Sequence, residues 1–257
     1  MEDKPTPTES QQSRQNAWAS PVKSMRVGEV SSEAVNLNVE GRRITGPVQG
    51  FGQMWQKTYR INLIGKKVPA KDLIREWKAN FAKFWPKNNT FYGPQGSITP
   101  GDVAVLNLAG PGGITAPGGK PVISTGIMVV YADDESFSFL TPEGHMFAAM
   151  ITFSAAEEND LTTAQIQALI RASDPFFEMM CRIGMGHRME DTFWFQTLRN
   201  LAAHFGASGE PTLERVLVDP SVQWSEARNI RWNSGIRTFF YLLGTPFRWV
   251  GDRLKAR

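Results

Sequence analysis

Residues 122 to 205 constrain the fold most, because three runs with a two-residue period lead into one helical pattern about 32 residues long. The runs are Val122 to Tyr131, Ser136 to Thr141 and Met146 to Ser154, the first two joined by the acidic turn Ala132-Asp133-Asp134-Glu135. Alternation with short polar connections predicts an antiparallel meander. Residues 162 to 172 alternate as well, Ala164, Ile166, Ala168 and Ile170 against Gln165 and Gln167; a last strand is expected, although the composition also tolerates a helix. Ser173-Asp174-Pro175 then supplies an N-cap with proline just inside the first turn, and the helical spacing continues to Phe205, where Gly206 stops it. Such a helix spans roughly 48 Å. A meander followed by one long helix predicts an α+β fold in which a curved antiparallel sheet grips the C-terminal helix.

Upstream, residues 1–30 are rich in Ser, Gln, Pro and Glu, with Trp18 as an isolated aromatic. They are expected to form a disordered, dispensable tail. Val35, Leu37 and Val39 alternate with Asn36 and Asn38 and predict a short strand before Gly41, and a longer strand is expected from Val48 to Ile64. Pro69 opens an amphipathic helix carrying Leu73, Ile74, Trp77, Phe81, Phe84 and Trp85 at three- and four-residue spacings and ending at Pro86. After a strand at Val103 to Leu108, the glycines from Gly110 to Gly119 invite a phosphate-loop reading. No GxxxxGK[ST] is present and no helical pattern follows, so they are read as a strand connection. The chain therefore divides into a tail at 1–30, a folded domain at 31–206 and a C-terminal extension at 207–257.

Few residues carry recognisable chemistry. Cys181 is the only cysteine, which excludes an intramolecular disulfide and a multi-cysteine metal site and suits a reducing, cytoplasmic setting. GxSxG, GxGxxG and HExxH are absent, and His187 and His204 lie about 25 Å apart on one helix, so no metal site and no cofactor are expected. A wheel drawn through the long helix places Phe176, Met180, Ile183, Trp194, Leu198, Leu201 and Phe205 on one stripe. His187 falls at its centre, with Glu190 and Asp191 at its edges. Two readings stand. Either His187 is a structural histidine, ion-paired with Asp191 or placed at a bend that Gly184 and Gly186 allow, or it is a polar anchor or general acid/base in an apolar pocket, with Asp191 or Glu190 orienting it. His145 follows a Pro-Glu-Gly turn that it can stabilise or leave to face a ligand. The chain also holds 8 Trp, 16 Phe and 10 Met, side chains that adapt to irregular apolar surfaces whether in a core or a cavity.

The element order, together with the segment Phe137 to His145 (FSFLTPEGH), resembles uncharacterised bacterial members of the START-like, or SRPBCC, helix-grip superfamily over about Val48 to Gly206. That resemblance implies a hydrophobic cavity between sheet and helix. Across the superfamily such cavities hold lipids, steroids or polyketides, and some members perform cyclase or hydrolase chemistry. Binding or transfer of a lipid or polyketide-like molecule is the function expected, with catalysis in the same cavity, or a structural role, as alternatives. Candidate ligand contacts are Trp77, Phe81, Phe139, His145, Met180, Ile183, His187 and Trp194.

Net charge is +3, yet residues 228–257 alone hold seven Lys or Arg against one acid, Asp252. Lys and Arg elsewhere are spread without a reader motif, so nucleic acid is not an expected partner. Thr212 to Val218 reads as a short β-like run. Beyond Pro220, Trp232, Ile236, Phe239, Phe240 and Leu243 share one helical face. An aromatic, cationic face of this kind suits an anionic membrane surface, which would make the protein peripheral; packing on the domain or across a homodimer interface is the alternative.

Overall fold

A computed structural model describes residues 17–94, 96 and 98–244. In chain order its strands are β1 (Ile44–Thr45), β2 (Met54–Asn62), β3 (Thr90–Tyr92), β4 (Val103–Leu108), β5 (Ile123–Ala132), β6 (Ser136–Pro142), β7 (Phe147–Glu158), β8 (Leu161–Ala172) and β9 (Thr212–Asp219). The helices are α1 (Ala70–Ala79), α2 (Pro175–Arg182), α3 (Met185–His204) and α4 (Ser234–Leu243). The strands form one sheet in the order β3-β4-β5-β6-β7-β8-β2-β9, with β1 paired to β6 and every pairing antiparallel. The protein is thus α+β, a large antiparallel sheet with helices α2 and α3 following the meander.

The alternating runs become strands for the expected reason. Phe137, Phe139, Ile151, Phe153, Ala164, Ile166, Ala168 and Ile170 all enter one buried cluster beneath the helices. Residues 162–172 are indeed extended, tied to β7 by a two-residue turn whose Asn159 and Asp160 both have positive φ, as a type I′ hairpin needs. Helix α1 buries Leu73, Ile74 and Trp77 on this cluster. The single helix expected up to Pro86 instead ends at Ala79. Asn80 leaves helical geometry and a 3-10 turn at Phe81–Phe84 swings Phe81 against Phe91, Phe137, Phe139 and Phe153.

The long terminal helix is broken. Gly184 takes φ +79, a left-handed conformation that ends α2 and starts α3 in a new phase. One wheel drawn across it therefore fails in its first half: Phe176 and Ile183 are exposed, whereas Trp194, Leu198 and Leu201 beyond the break are core.

The opposite sheet face is covered by the segment expected to be disordered. Residues 1–16 lie outside the described residues; within 17–30, Ala17 and Met25 are buried against the sheet. A bulge in β5 between Val129 and Tyr131 leaves the Val130 carbonyl to accept from Ala19 N, while Ala132 N donates to Ala17 O. Met25 is fully buried with Val39, Val103, Val105 and Met128. Residues 35–39 form no strand; their apolar side chains serve as a cover layer, not as a sheet edge. Gly126 makes that cover possible, since a Cβ there would lie 2.5 Å from Ala104 O and 2.7 Å from a Val39 methyl. The strand expected from Val48 begins only at Met54, after a 3-10 turn at Pro47–Gln49.

No boundary falls at residue 206 either. Chain beyond it supplies β9, paired to β2 from Trp55 through Arg60, and then a 3-10 stretch, Trp224–Trp232, that leads into α4. Paired caps bind α4 to α2. Asp174 accepts from Phe176 N and Phe177 N and also from Asn233 Nδ2, and Asn233 in turn accepts from Ile236 N. At Gly144, with φ +89, a Cβ would sit 2.0 Å from Trp232 O. Only glycine lets the C-terminal segment approach this closely.

Candidate ligand cavity

Strand β2 places Trp55, Lys57, Tyr59 and Ile61 on the face that looks towards α3. Lys57 is 1% exposed and meets two consecutive acids of α3: Nζ donates to Glu190 Oε2 at 2.7 Å and to Asp191 Oδ1 at 2.8 Å. Tyr59 Oη donates to Asp191 Oδ1 at 2.8 Å, and Arg215, the register partner of Lys57 on β9, closes on Asp191 Oδ2. Buried Lys57 thus sits between two buried carboxylates, and Arg215 reaches Asp191 from the half-exposed side, the pairing that lets buried charges persist. Burial and the two nearby carboxylates push the Tyr59 phenol far above its usual range, so it is a hydrogen-bond donor throughout. Burial also raises the Glu190 carboxyl, against the opposing pull of Lys57.

Between this helix and the sheet lies a cavity of about 590 Å³. Its apolar walls include Phe81, Leu106, Phe139, Phe147, Ile151, Ile170, Ile183 and Trp194, and its polar lining includes Thr141, His145, Arg188 and Glu190. A second, almost wholly apolar chamber of about 570 Å³ adjoins it under α4, lined by Phe176, Phe177, Met180, Ile236, Phe239 and Phe240. Gly110, Pro111, Met146, Met185 and Met189 belong to both walls. The glycine-rich connection is therefore a cavity wall as well as a link between strands.

Of the residues expected at a ligand site, Phe81, Phe139, His145, Ile183 and Trp194 line the first chamber and Met180 the second. Trp77 does not; it is fully buried edge-on to Phe137 and Phe153, behind the wall. His187 lines neither chamber. Its ring packs 5.6 Å from Trp55 and 6.4 Å from Phe147, and Nδ1 is buried with no hydrogen-bond partner among the described residues. The expected His187–Asp191 pair is absent because both Asp191 oxygens are engaged, by Lys57 and Tyr59 on one and Arg215 on the other. Burial and the charge of Lys57 hold the His187 pKa down to about 4, so the ring is neutral near pH 7. Of the acid–base trio, only Glu190 reaches the chamber.

His145 is buried and held at about 4 by desolvation. Its Nδ1 lies 3.1 Å from Phe147 N and 3.0 Å from Phe147 O, so either neutral tautomer finds a partner there. His204 joins Glu76 at 2.9 Å, remote from the cavity. The Cys181 thiol is pushed up to about 12 by burial and is no nucleophile. Among the described residues no group of three His, Cys, Asp or Glu is placed to hold a metal, and no helix is long and apolar enough to cross a membrane.

Sequence reasoning missed Lys57, Tyr59 and Arg215. Lys57 had a visible signal, a lysine in phase with Trp55, Tyr59 and Ile61 on a strand's apolar face. Arg215 had none, since its partner strand pairs across about 155 residues of intervening chain.

No family model matches the chain, and no curated protein matches it by sequence. Similar solved structures include protein Ms6760 from Mycobacterium smegmatis, 13% identical over 70% of this chain and 96% of that one, with a TM-score of 0.39. They include major latex-like protein 151 from Panax ginseng, 10% identical over 60% and 99% of the two chains, TM-score 0.37. Protein CV1439 from Chromobacterium violaceum is 16% identical over 59% and 99%, TM-score 0.38. Likenesses at these identities and TM-scores carry no argument about ligand or activity.

Proposed function

We propose that this chain binds or transfers an apolar small molecule, of lipid or polyketide-like chemistry, in the chamber between the sheet and α3. The observation that carries this reading is a cavity of about 590 Å³ with aromatic and aliphatic walls and one lysine-held carboxylate among its lining. Cavities of roughly 300–1,000 Å³ suit small-molecule ligands whose body is buried by apolar walls and whose orientation is fixed by a few polar groups. Glu190 is the natural partner for a hydroxyl or amine on such a ligand, because Lys57 occupies only its Oε2. A sheet-and-helix cavity also agrees with the helix-grip resemblance of the sequence. Native mass spectrometry of freshly purified protein should show a co-purified apolar molecule, or uptake of an anilinonaphthalene sulfonate probe. Ala149→Trp, which fills the chamber from β7, should cut probe affinity at least about tenfold. An empty protein that takes up no probe, or equal affinity in the filled variant, would overturn the reading.

The same carboxylate supports a second reading, acid–base catalysis on that ligand. Glu190, not His187, is then the proton acceptor, since it lines the chamber and burial raises the proton affinity of its carboxylate. Glu190→Gln separates the two: ligand uptake that persists while turnover of the bound molecule stops favours an enzyme.

A further inference from the structure

Helix α4 is packed inside out. Its buried face is polar: Thr238 Oγ1 accepts from Ser124 N at 3.0 Å, Ser234 N donates to Gly144 O, and Arg237 Nε donates to Asn38 Oδ1. Its other face leaves Phe239 58% and Phe240 65% exposed, although aromatic side chains of this size are the residues that burial stabilises most. Phe176 and Met179 of α2, Ile183 at the helix break and Met185 of α3 are exposed as well. These positions are connected. Phe176, Met185, Phe239 and Phe240 all belong to the wall of the second chamber, and Ile183 and Met185 to the first. The exposed apolar side chains thus rim the two cavities.

We infer that this rim docks on an anionic phospholipid surface, the α4 aromatics entering the headgroup–acyl boundary. Charge decides between the candidate occupants. Residues 228–257 sum to +6 in a chain whose total is +3, and among the described residues Lys87 and Arg188 line the first chamber beside Ile183 and Met185 of the rim. A symmetric dimer through this face would bring two sets of cations together, and like charges repel. An anionic surface is attracted to the same cations, each adding to the apolar insertion. The surface inference stands on exposure and charge alone and does not require that the chamber be filled.

The test is co-sedimentation of the full chain with vesicles of phosphatidylcholine, or of phosphatidylcholine and phosphatidylserine at about 3:1. Binding is expected to the anionic vesicles only, falling with added salt, and weakening at least about tenfold in Phe239→Asp/Phe240→Asp. Both positions are exposed, so the double variant should keep the parent's far-UV circular dichroism and urea midpoint. A form ending at Gly244 should likewise lose anionic binding. Absent binding, equal binding to both vesicles, or undiminished binding by a folded double variant would overturn the inference. So would tighter binding by the form ending at Gly244, which would mean that the chain's own end covers the rim. A dimer lost in the double variant, with no vesicle binding by the parent, would assign the face to a second copy. Because the readout is vesicle binding, it can fail while the cavity still takes up probe, and the reverse.

Discussion

Lys57 shows how one side chain sets both stability and site. It sits between Glu190 and Asp191 with no water-facing surface, and it is the only hydrogen-bond donor on Glu190 among the described residues. Lys57→Met leaves Asp191 with Tyr59 and Arg215 but strands Glu190, and a buried carboxylate without a partner is costly. A loss on the order of 3 kcal/mol is expected in urea unfolding. Adding Glu190→Gln should return part of it, because the second change removes the stranded charge; additive losses would mean that the pair does not interact. His145 yields a pH prediction. Its pKa is about 4 when folded and about 6.5 in the open chain. From pH 6.5 down to 4 the unfolded state therefore takes up the proton while the folded state does not. Stability from this group is complete above about 6.5 and is lost on acidification, by on the order of 3 kcal/mol at pH 4. His187, also held near 4, acts in the same direction. Unfolding free energies at pH 7.5 and 4.5 should diverge less in His145→Gln than in the parent. An unchanged difference would show that His145 is not the group responsible.

At the scale of elements, whatever depended on local period was legible and whatever depended on partners was not. Strands β5 to β8 follow from alternation, since one of their faces is buried over most of its length. Strand β4 reads as a continuous apolar run, Val103 to Leu106, because Ala104 and Leu106 meet the helix side while Val103 and Val105 meet the N-terminal cover. A run of that kind announces a second covering layer, yet nothing local says which segment provides it. The helix break at Gly184 illustrates the opposite failure. Two glycines were visible, but a wheel assumes one axis, and a single left-handed residue put Phe176 and Ile183 at the surface and His187 behind Trp55 and Phe147. The same error put His187 at the centre of the inward stripe, whereas it is Glu190 that lines the chamber. Trp77 was misplaced for a different reason: period identifies the buried face of α1 correctly but cannot distinguish the core behind a cavity wall from the wall itself.

At the scale of the molecule, the two terminal segments are what complete the sheet and helix. Asn38 shows the coupling in one residue: its Nδ2 donates to Ser124 O at 2.8 Å on β5, its Oδ1 accepts from Arg237 Nε on α4, and it is almost fully buried. Composition suggested a dispensable tail because residues 1–30 hold too few apolar positions to fold alone. Residues 17–30 need not fold alone. Ala17 and Met25 find a preformed apolar surface on the outer face of β4 and β5, and the bulge at Val130 offers backbone groups that would otherwise lack partners. Removing them uncovers Val103, Val105 and Met128 and discards a fully buried methionine, each such side chain being worth about 1.5–3 kcal/mol. A chain beginning at Ser32 should therefore lose on the order of 4 kcal/mol relative to the full chain in urea unfolding, whereas one beginning at Ala17 keeps every contact described and serves as the control. If the chain from Ser32 matched the control, the contacts of Ala17, Ala19 and Met25 with the outer sheet face would contribute nothing to stability.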